Sequence, residues 1–98
     1  MAIEKLVECS KIRISSDSDA DVHRLVIGGK YLIVLERGVL EELSRTSAEE
    51  LKGKLDAVNP DSAYFLEKAN LTYEAVGFAI AQARLIELER EFEAYRSR

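Results

Sequence analysis

The segment that decides the fold is AVGFAIAQARLI, residues 75–86, within a stretch from 60 to 98 that contains one glycine and no proline after Pro60. The segment is apolar around nearly the whole circumference of a helix. Such a helix is stable in water only when other elements cover all of it. In a chain of 98 residues that cover is scarce, so the segment predicts a partner, most simply a second copy.

The predicted helix is also long for the domain that carries it. Residues 60–98 in one helix would span roughly 58 Å, whereas a compact domain of this size has a diameter of roughly 33 Å. Asn70 or Thr72 could begin a separate helix, but no Gly or Pro lies there, and we interpret the helix as continuous. It should therefore extend beyond its own domain by several turns.

The helix carries a heptad-like stripe. One series recurs every seven residues and comprises Tyr64, Leu71, Phe78, Leu85 and Phe92; a second series, three residues later, comprises Ala81, Leu88 and Tyr95. Glu67 and Glu74 hold the earlier positions of the second series, so the repeat is imperfect at its start. Since large aromatic side chains are common anchors of interfaces, the predicted interface consists of Phe78, Ala81, Leu85, Leu88, Phe92 and Tyr95.

The first third of the chain has the pattern of strands. Residues 11–15 alternate polar and apolar side chains, and residues 22–27 and 31–36 are two further strands joined by Gly28-Gly29, a pair that suits a tight hairpin. Residues 3–9 fit either a helical face or an extension of the first strand, and we interpret them as strand. Helical spacing begins at Gly38.

These patterns predict a single α+β domain, residues 1–98, with a sheet part at 1–37 and a helical part at 38–98. The expected architecture is a three-stranded antiparallel meander followed by two or three helices, of which the last is long.

The composition of the chain argues against several classes of function. A net charge of -4 gives no broad cationic field for nucleic acid or anionic lipid. Cys9 is the only cysteine, and neither a signal peptide nor an apolar stretch long enough for a bilayer is present, so we expect a cytoplasmic protein without membrane contact. The scarcity of Asn and Gln beside 33% charged residues resembles heat-adapted proteins.

No catalytic constellation is evident, so we expect a non-enzymatic protein without cofactor or metal. Asp17, Asp19 and Asp21 have the spacing of calcium-loop ligands, but Val22 and Gly28 occupy the places where that loop needs Gly and Glu. His23 is the only histidine. With no second His for a metal and no nucleophile beside it in the sequence, it should lie at a solvent-facing or edge position of its strand.

The sequence therefore predicts an interaction or assembly module, either a homo-oligomer, with a dimer favoured, or a subunit of a protein complex. The alternative is a small nucleic-acid-associated regulator. It would use Lys11, Arg13 and Arg24 on one basic face of the sheet.

Overall fold

The structure, a computed structural model, describes residues 3–9 and 11–97. Its strands are β1 (Ile3–Cys9), β2 (Ile12–Asp17), β3 (Val22–Ile27) and β4 (Tyr31–Leu35). Its helices are α1 (Val39–Ser44), α2 (Ala48–Val58), α3 (Ser62–Ala69) and α4 (Tyr73–Arg96). The predicted α+β order, an antiparallel sheet followed by helices with a long last one, is confirmed.

The sheet has four strands in the order β1-β2-β3-β4, and every neighbouring pair is antiparallel. The prediction of three strands was one too few, because β1 is a strand of its own that pairs with β2 rather than an extension of it. A register shift between Lys5 and Val7 marks a β-bulge. Leu6 and Val7 are both buried there, which breaks the alternation by which a strand is recognised.

One face of the sheet and the inner sides of the helices enclose the core. Its fully buried sheet residues are Ile14, Leu25, Ile27, Ile33 and Leu35. Helix α4 contacts β1 and β2 as well as α1 and α2, while α3 contacts β3. The other face of the sheet has no helix on it among the described residues, as is common for antiparallel sheets.

The hairpin between β3 and β4 is held against the end of α3. Gly28 and Gly29 both have positive φ angles, +65° and +76°, which glycine adopts without steric cost. A Cβ atom at Gly28 would lie only 3.1 Å from the Cβ atom of Ala69. Nearby, the Nζ atom of Lys11 donates a hydrogen bond of 2.9 Å to the carbonyl of Ala69, which satisfies an acceptor at the C-terminus of α3.

The predicted continuous helix from residue 60 onwards was wrong, because the chain turns between α3 and α4. The described residues therefore form four helices rather than the two or three predicted. Asn70 adopts the left-handed conformation, with φ 57° and ψ 46°, which Asn tolerates better than most residues. The hydroxyl of Thr72 then caps α4 by accepting a hydrogen bond from the backbone N–H of Ala75. The turn allows α3 to pack on β3 while α4 crosses β1 and β2.

Two features join α2 to the beginning of α4. A Cβ atom at Gly77 would lie 2.9 Å from the Cδ2 atom of Leu51, so the glycine permits close packing of the helices. The hydroxyl of Tyr73 donates a hydrogen bond of 2.7 Å to Asp56. Burial, and then this bond, raise the pKa of Tyr73 to about 12. The Asp56 pKa is lowered, mainly by its hydrogen bond with Lys52.

We predict that the Tyr73 pair makes the fold sensitive to alkaline pH. Because the folded-state pKa is higher than the unfolded value of about 10, its contribution is complete below pH ~10 and is lost as the pH rises towards ~12. Tyr73→Phe should lower the free energy of unfolding by about 1 kcal/mol at neutral pH and flatten the loss of stability between pH ~10 and ~12. Thermal unfolding across this range measures both effects. Tyr64→Phe, the same substitution at an exposed ring, is the control; equal behaviour of the two variants would contradict the prediction.

Candidate assembly surface

The six residues predicted to form an interface all lie on the exposed side of α4. We call this set, Phe78, Ala81, Leu85, Leu88, Phe92 and Tyr95, the outer stripe. All six are exposed, and the exposed fractions of the five large side chains are 65%, 61%, 43%, 59% and 76% in chain order. The structure therefore leaves the stripe uncovered within one chain. Its use in association stays a prediction.

The outer stripe and the core-facing side of α4 are on opposite sides of the helix. The buried residues of α4 are Val76, Ala79, Ile80 and Ala83. Residues two apart on a helix are separated by about 200° around its axis, so Ala83 faces the core while Ala81 and Leu85 face away from it. A partner on the stripe would consequently touch α4 without displacing any core side chain.

Polar contacts also hold α4 in place. The Nε2 atom of His23 on β3 lies 2.6 Å from Oε2 of Glu87, and the other oxygen of Glu87 accepts a hydrogen bond of 3.2 Å from Arg84. One turn further on, Arg90 pairs with the carboxylate of Glu4 on β1. Residues 84–90 are thus fixed to two strands, which preorganises the outer stripe at their level.

The structure places His23 differently from the expected solvent-facing or edge position. Its side chain is 15% exposed and lies on the core side of β3, where Leu25 and Ile27 are also located. Period-two alternation from those two residues would have indicated this side. The Nδ1 atom is buried and has no hydrogen-bond partner among the described residues.

Beyond Arg90 the helix leaves the core. Every residue from 91 to 97 is exposed, although the helix continues to Arg96. Isolated helical ends gain little from local hydrogen bonds alone. Phe92 and Tyr95, the largest side chains of this end, lie on the same side as Leu85 and Leu88. The end of α4 therefore presents apolar surface that its own domain does not cover.

The basic residues of the alternative hypothesis are only partly brought together. Arg13 and Arg24 lie on the open face of the sheet, on neighbouring strands, whereas Lys11 points its ammonium group at the end of α3. Both arginines have a carboxylate nearby: Arg24 is 2.9 Å from the buried carboxylate of Asp17, and Arg13 is 3.9 Å from Glu8. These pairs reduce the positive potential that phosphate binding requires.

The acidic turn between β2 and β3 is built around Asp17. Asp17 accepts hydrogen bonds from the backbone N–H groups of Asp19 and Ala20, so it organises the β2–β3 turn. No cluster of three or more His, Cys, Asp or Glu side chains suited to a metal occurs within residues 3–9 and 11–97. In the same part of the chain, no helix combines the length and the apolar character that crossing a bilayer requires.

Comparison of the chain with protein-family models, with curated proteins and with solved structures gives no match. The outer stripe and the open sheet face are therefore the features of the molecule that bear on its function.

Proposed function

We propose that this protein is a non-enzymatic assembly module that associates with a second copy of itself through the outer stripe. The observation that supports the proposal is the exposure of a regular apolar heptad pattern on a helix whose opposite side is packed on the core between Val76 and Ala83. Side chains at heptad positions interlock with those of a facing helix. A purely structural helix needs apolar residues on its core side only.

The size of the stripe favours association. If an aromatic side chain offers about 200 Å², Phe78, Phe92 and Tyr95 together leave roughly 400 Å² exposed at the fractions given above. The largest apolar patch on a typical soluble monomer covers about 300–600 Å² and is often functional, and the two leucines bring this one towards the upper end of that range. A standard dimer buries about 800 Å² per partner, which the stripe and its flanking residues can supply.

A subunit of another complex would use the same surface. A heptad stripe accepts any helix with a complementary stripe, so the proposal treats a different partner as the second form of the same function. The mass of the purified chain distinguishes them: a dimer supports self-association, whereas a persistent monomer at high concentration overturns it.

The nucleic-acid hypothesis remains a separate proposal with less support. Arg13 and Arg24 share a face, but Arg24 is paired with Asp17, Arg13 lies 3.9 Å from Glu8, and Lys11 lies elsewhere. A salt-dependent shift of labelled DNA or RNA that is lost in Arg13→Ala would support it, because phosphate contacts release counterions.

We predict that a chain ending at Arg90 associates at least about 1,000-fold more weakly than the full chain. It lacks Phe92 and Tyr95, and these anchors contribute about 2 kcal/mol or more each, hence about 4 kcal/mol or more per copy. It retains the His23–Glu87 and Glu4–Arg90 contacts. Sedimentation equilibrium measures the dissociation constants, and circular dichroism at low concentration should show unchanged folding. If the shortened chain assembles as the full chain does, Phe92 and Tyr95 are not interface residues.

A further inference from the structure

We infer that the two copies pair with their α4 helices antiparallel, in a register centred between Leu85 and Leu88. This inference rests on the proposed function, because it describes how a second copy occupies the outer stripe. Two features support it: the order of large and small side chains along the stripe, and the exposed end of α4.

The side-chain sizes match best in that register. When the stripes run in opposite directions about the centre, Phe78 faces Tyr95 of the other copy, Ala81 faces Phe92, and Leu85 faces Leu88. Each ring of Phe92 then fills the space above an alanine. Facing positions that combine large and small side chains fill an interface at native density.

A parallel, in-register pair would face each residue with its own copy. Ala81 would face Ala81, leaving a gap between the Phe78 and Leu85 layers, while Phe92 would face Phe92 and crowd the layer. Gaps and overpacking both destabilise interiors. The parallel arrangement therefore has the same residues but a poorer fit.

The end of α4 gives a second, independent reason. Each residue from 91 to 97 is exposed. In an antiparallel pair this end lies along the first turns of the other α4, where Val76, Ala79 and Ile80 hold the helix against its core. In a parallel pair the two ends would contact only each other, beyond both cores. The antiparallel arrangement thus places each uncovered end on a rigid surface.

Charges beside the stripe do not separate the two arrangements. A parallel pair would bring Arg84 near Glu89 of the other copy and Glu91 near Arg96. An antiparallel pair brings Arg84 near Glu91. Arg84 already has Glu87 at 3.2 Å within its own chain, and exposed ion pairs are weak and screened by salt. Packing of the apolar layers therefore determines the direction.

Disulfide cross-linking tests the direction in the full chain. The background is Cys9→Ser, because Cys9 is the sole cysteine and is exposed. Ala81→Cys and Phe92→Cys are prepared separately, one with a size tag, and oxidised alone and mixed. In the antiparallel pair, the Cα atoms of residue 81 in the two copies lie about 16 Å apart along the axis. That separation is too large for a disulfide, which needs Cα atoms within about 7 Å.

We expect the mixed sample to form at least ten times more cross-linked product than Ala81→Cys alone. Ala94→Cys, an exposed position away from the stripe, measures random cross-linking. Efficient linking of Ala81→Cys to itself would establish the parallel pair and overturn this inference alone. The inference would also be overturned if the protein is a dimer by mass but neither the mixed sample nor Ala81→Cys alone cross-links more than Ala94→Cys. A monomeric full chain would overturn the proposed function as well.

A spin label on Arg96→Cys, again in the Cys9→Ser background, provides a second measurement without removing an apolar residue. The antiparallel register places the two labels about 28 Å apart along the axis. The parallel pair places them side by side, with helix axes about 8–10 Å apart. A single short distance in a dimeric sample would contradict the antiparallel arrangement.

Discussion

Leu85→Glu should convert the assembled protein to monomers while leaving the protomer folded. Residue 85 is near the centre of the outer stripe and is 61% exposed in a single chain. In a dimer two copies of the substitution act together. Each removes about 2 kcal/mol of apolar burial, so the dissociation constant should rise roughly 1,000-fold. The unpaired carboxylates at the seam add to this loss.

The stability of the protomer itself should hardly change. Glu and Leu have similar helix propensities, and surface substitutions usually alter the free energy of unfolding by less than about 0.5 kcal/mol. Sedimentation equilibrium gives the dissociation constant, and urea unfolding at low protein concentration gives the stability. A Leu85→Glu protein that remains dimeric would show that the interface lies elsewhere.

Ala94→Glu is the matched control for that experiment. It adds the same charge to the same helix, and residue 94 is exposed but lies outside the outer stripe. We expect it to associate like the unmodified chain. Loss of association in both variants would indicate a general charge effect on α4 rather than specific contacts at Leu85.

Gly28→Ala should lower the free energy of unfolding more than Gly29→Ala, the matched substitution in the same turn. Both Gly28 and Gly29 have positive φ angles, and of the two only Gly28 lies against another element, with Ala69 3.1 Å from the position of a new Cβ atom. Gly29→Ala should therefore cost about 1–2 kcal/mol from the backbone conformation alone. Gly28→Ala should cost about 3 kcal/mol, because the overlap with α3 is added.

Thermal unfolding distinguishes the two turn variants. At about 4–8 °C per kcal/mol for a domain of this size, we expect the midpoint to fall by roughly 12–24 °C for Gly28→Ala and by about half as much for Gly29→Ala. Among the described residues beyond its chain neighbours, none has an atom within 4 Å of the Cβ position at Gly29, so that variant measures the backbone cost without a clash. Equal losses would show that the turn does not press on α3.

The α+β order could be predicted because strand and helix periods are local properties of the sequence. The count of strands was less accessible. The bulge in β1 buries the adjacent residues Leu6 and Val7, so the segment lacks the alternation of a regular strand and resembles a helical face. A bulge is stabilised by the neighbouring strand, and its signal is therefore not contained in the segment alone.

The break before α4 depends on tertiary contacts for the same reason. Asn70 is acceptable inside a helix as well as at its end, and Thr72 can either continue a helix or cap one. The packing of α3 on β3 and the hydrogen bond from Lys11 to Ala69 favour the broken form. These contacts join residues far apart in the chain, so the pattern at 70–72 could not decide between the alternatives.

Sequence periodicity located the outer stripe but not the role of every neighbouring side chain. The heptad positions from 78 to 95 are all exposed, whereas the small residues Ala79 and Ala83, with Val76 and Ile80, face the core. His23 was missed as a structural residue, because its partner Glu87 is 64 positions away. Only the fold brings that pair together.

Ala83 and Leu85 face opposite sides of one helix. Mutations on the solvent side should therefore change how the protein associates without changing its folded core. Substitutions confined to that side would give a monomer, a homodimer or a form that binds a helix of another protein. All three would share one unchanged interior. Partner choice could thus change during evolution while the hydrophobic core stays the same.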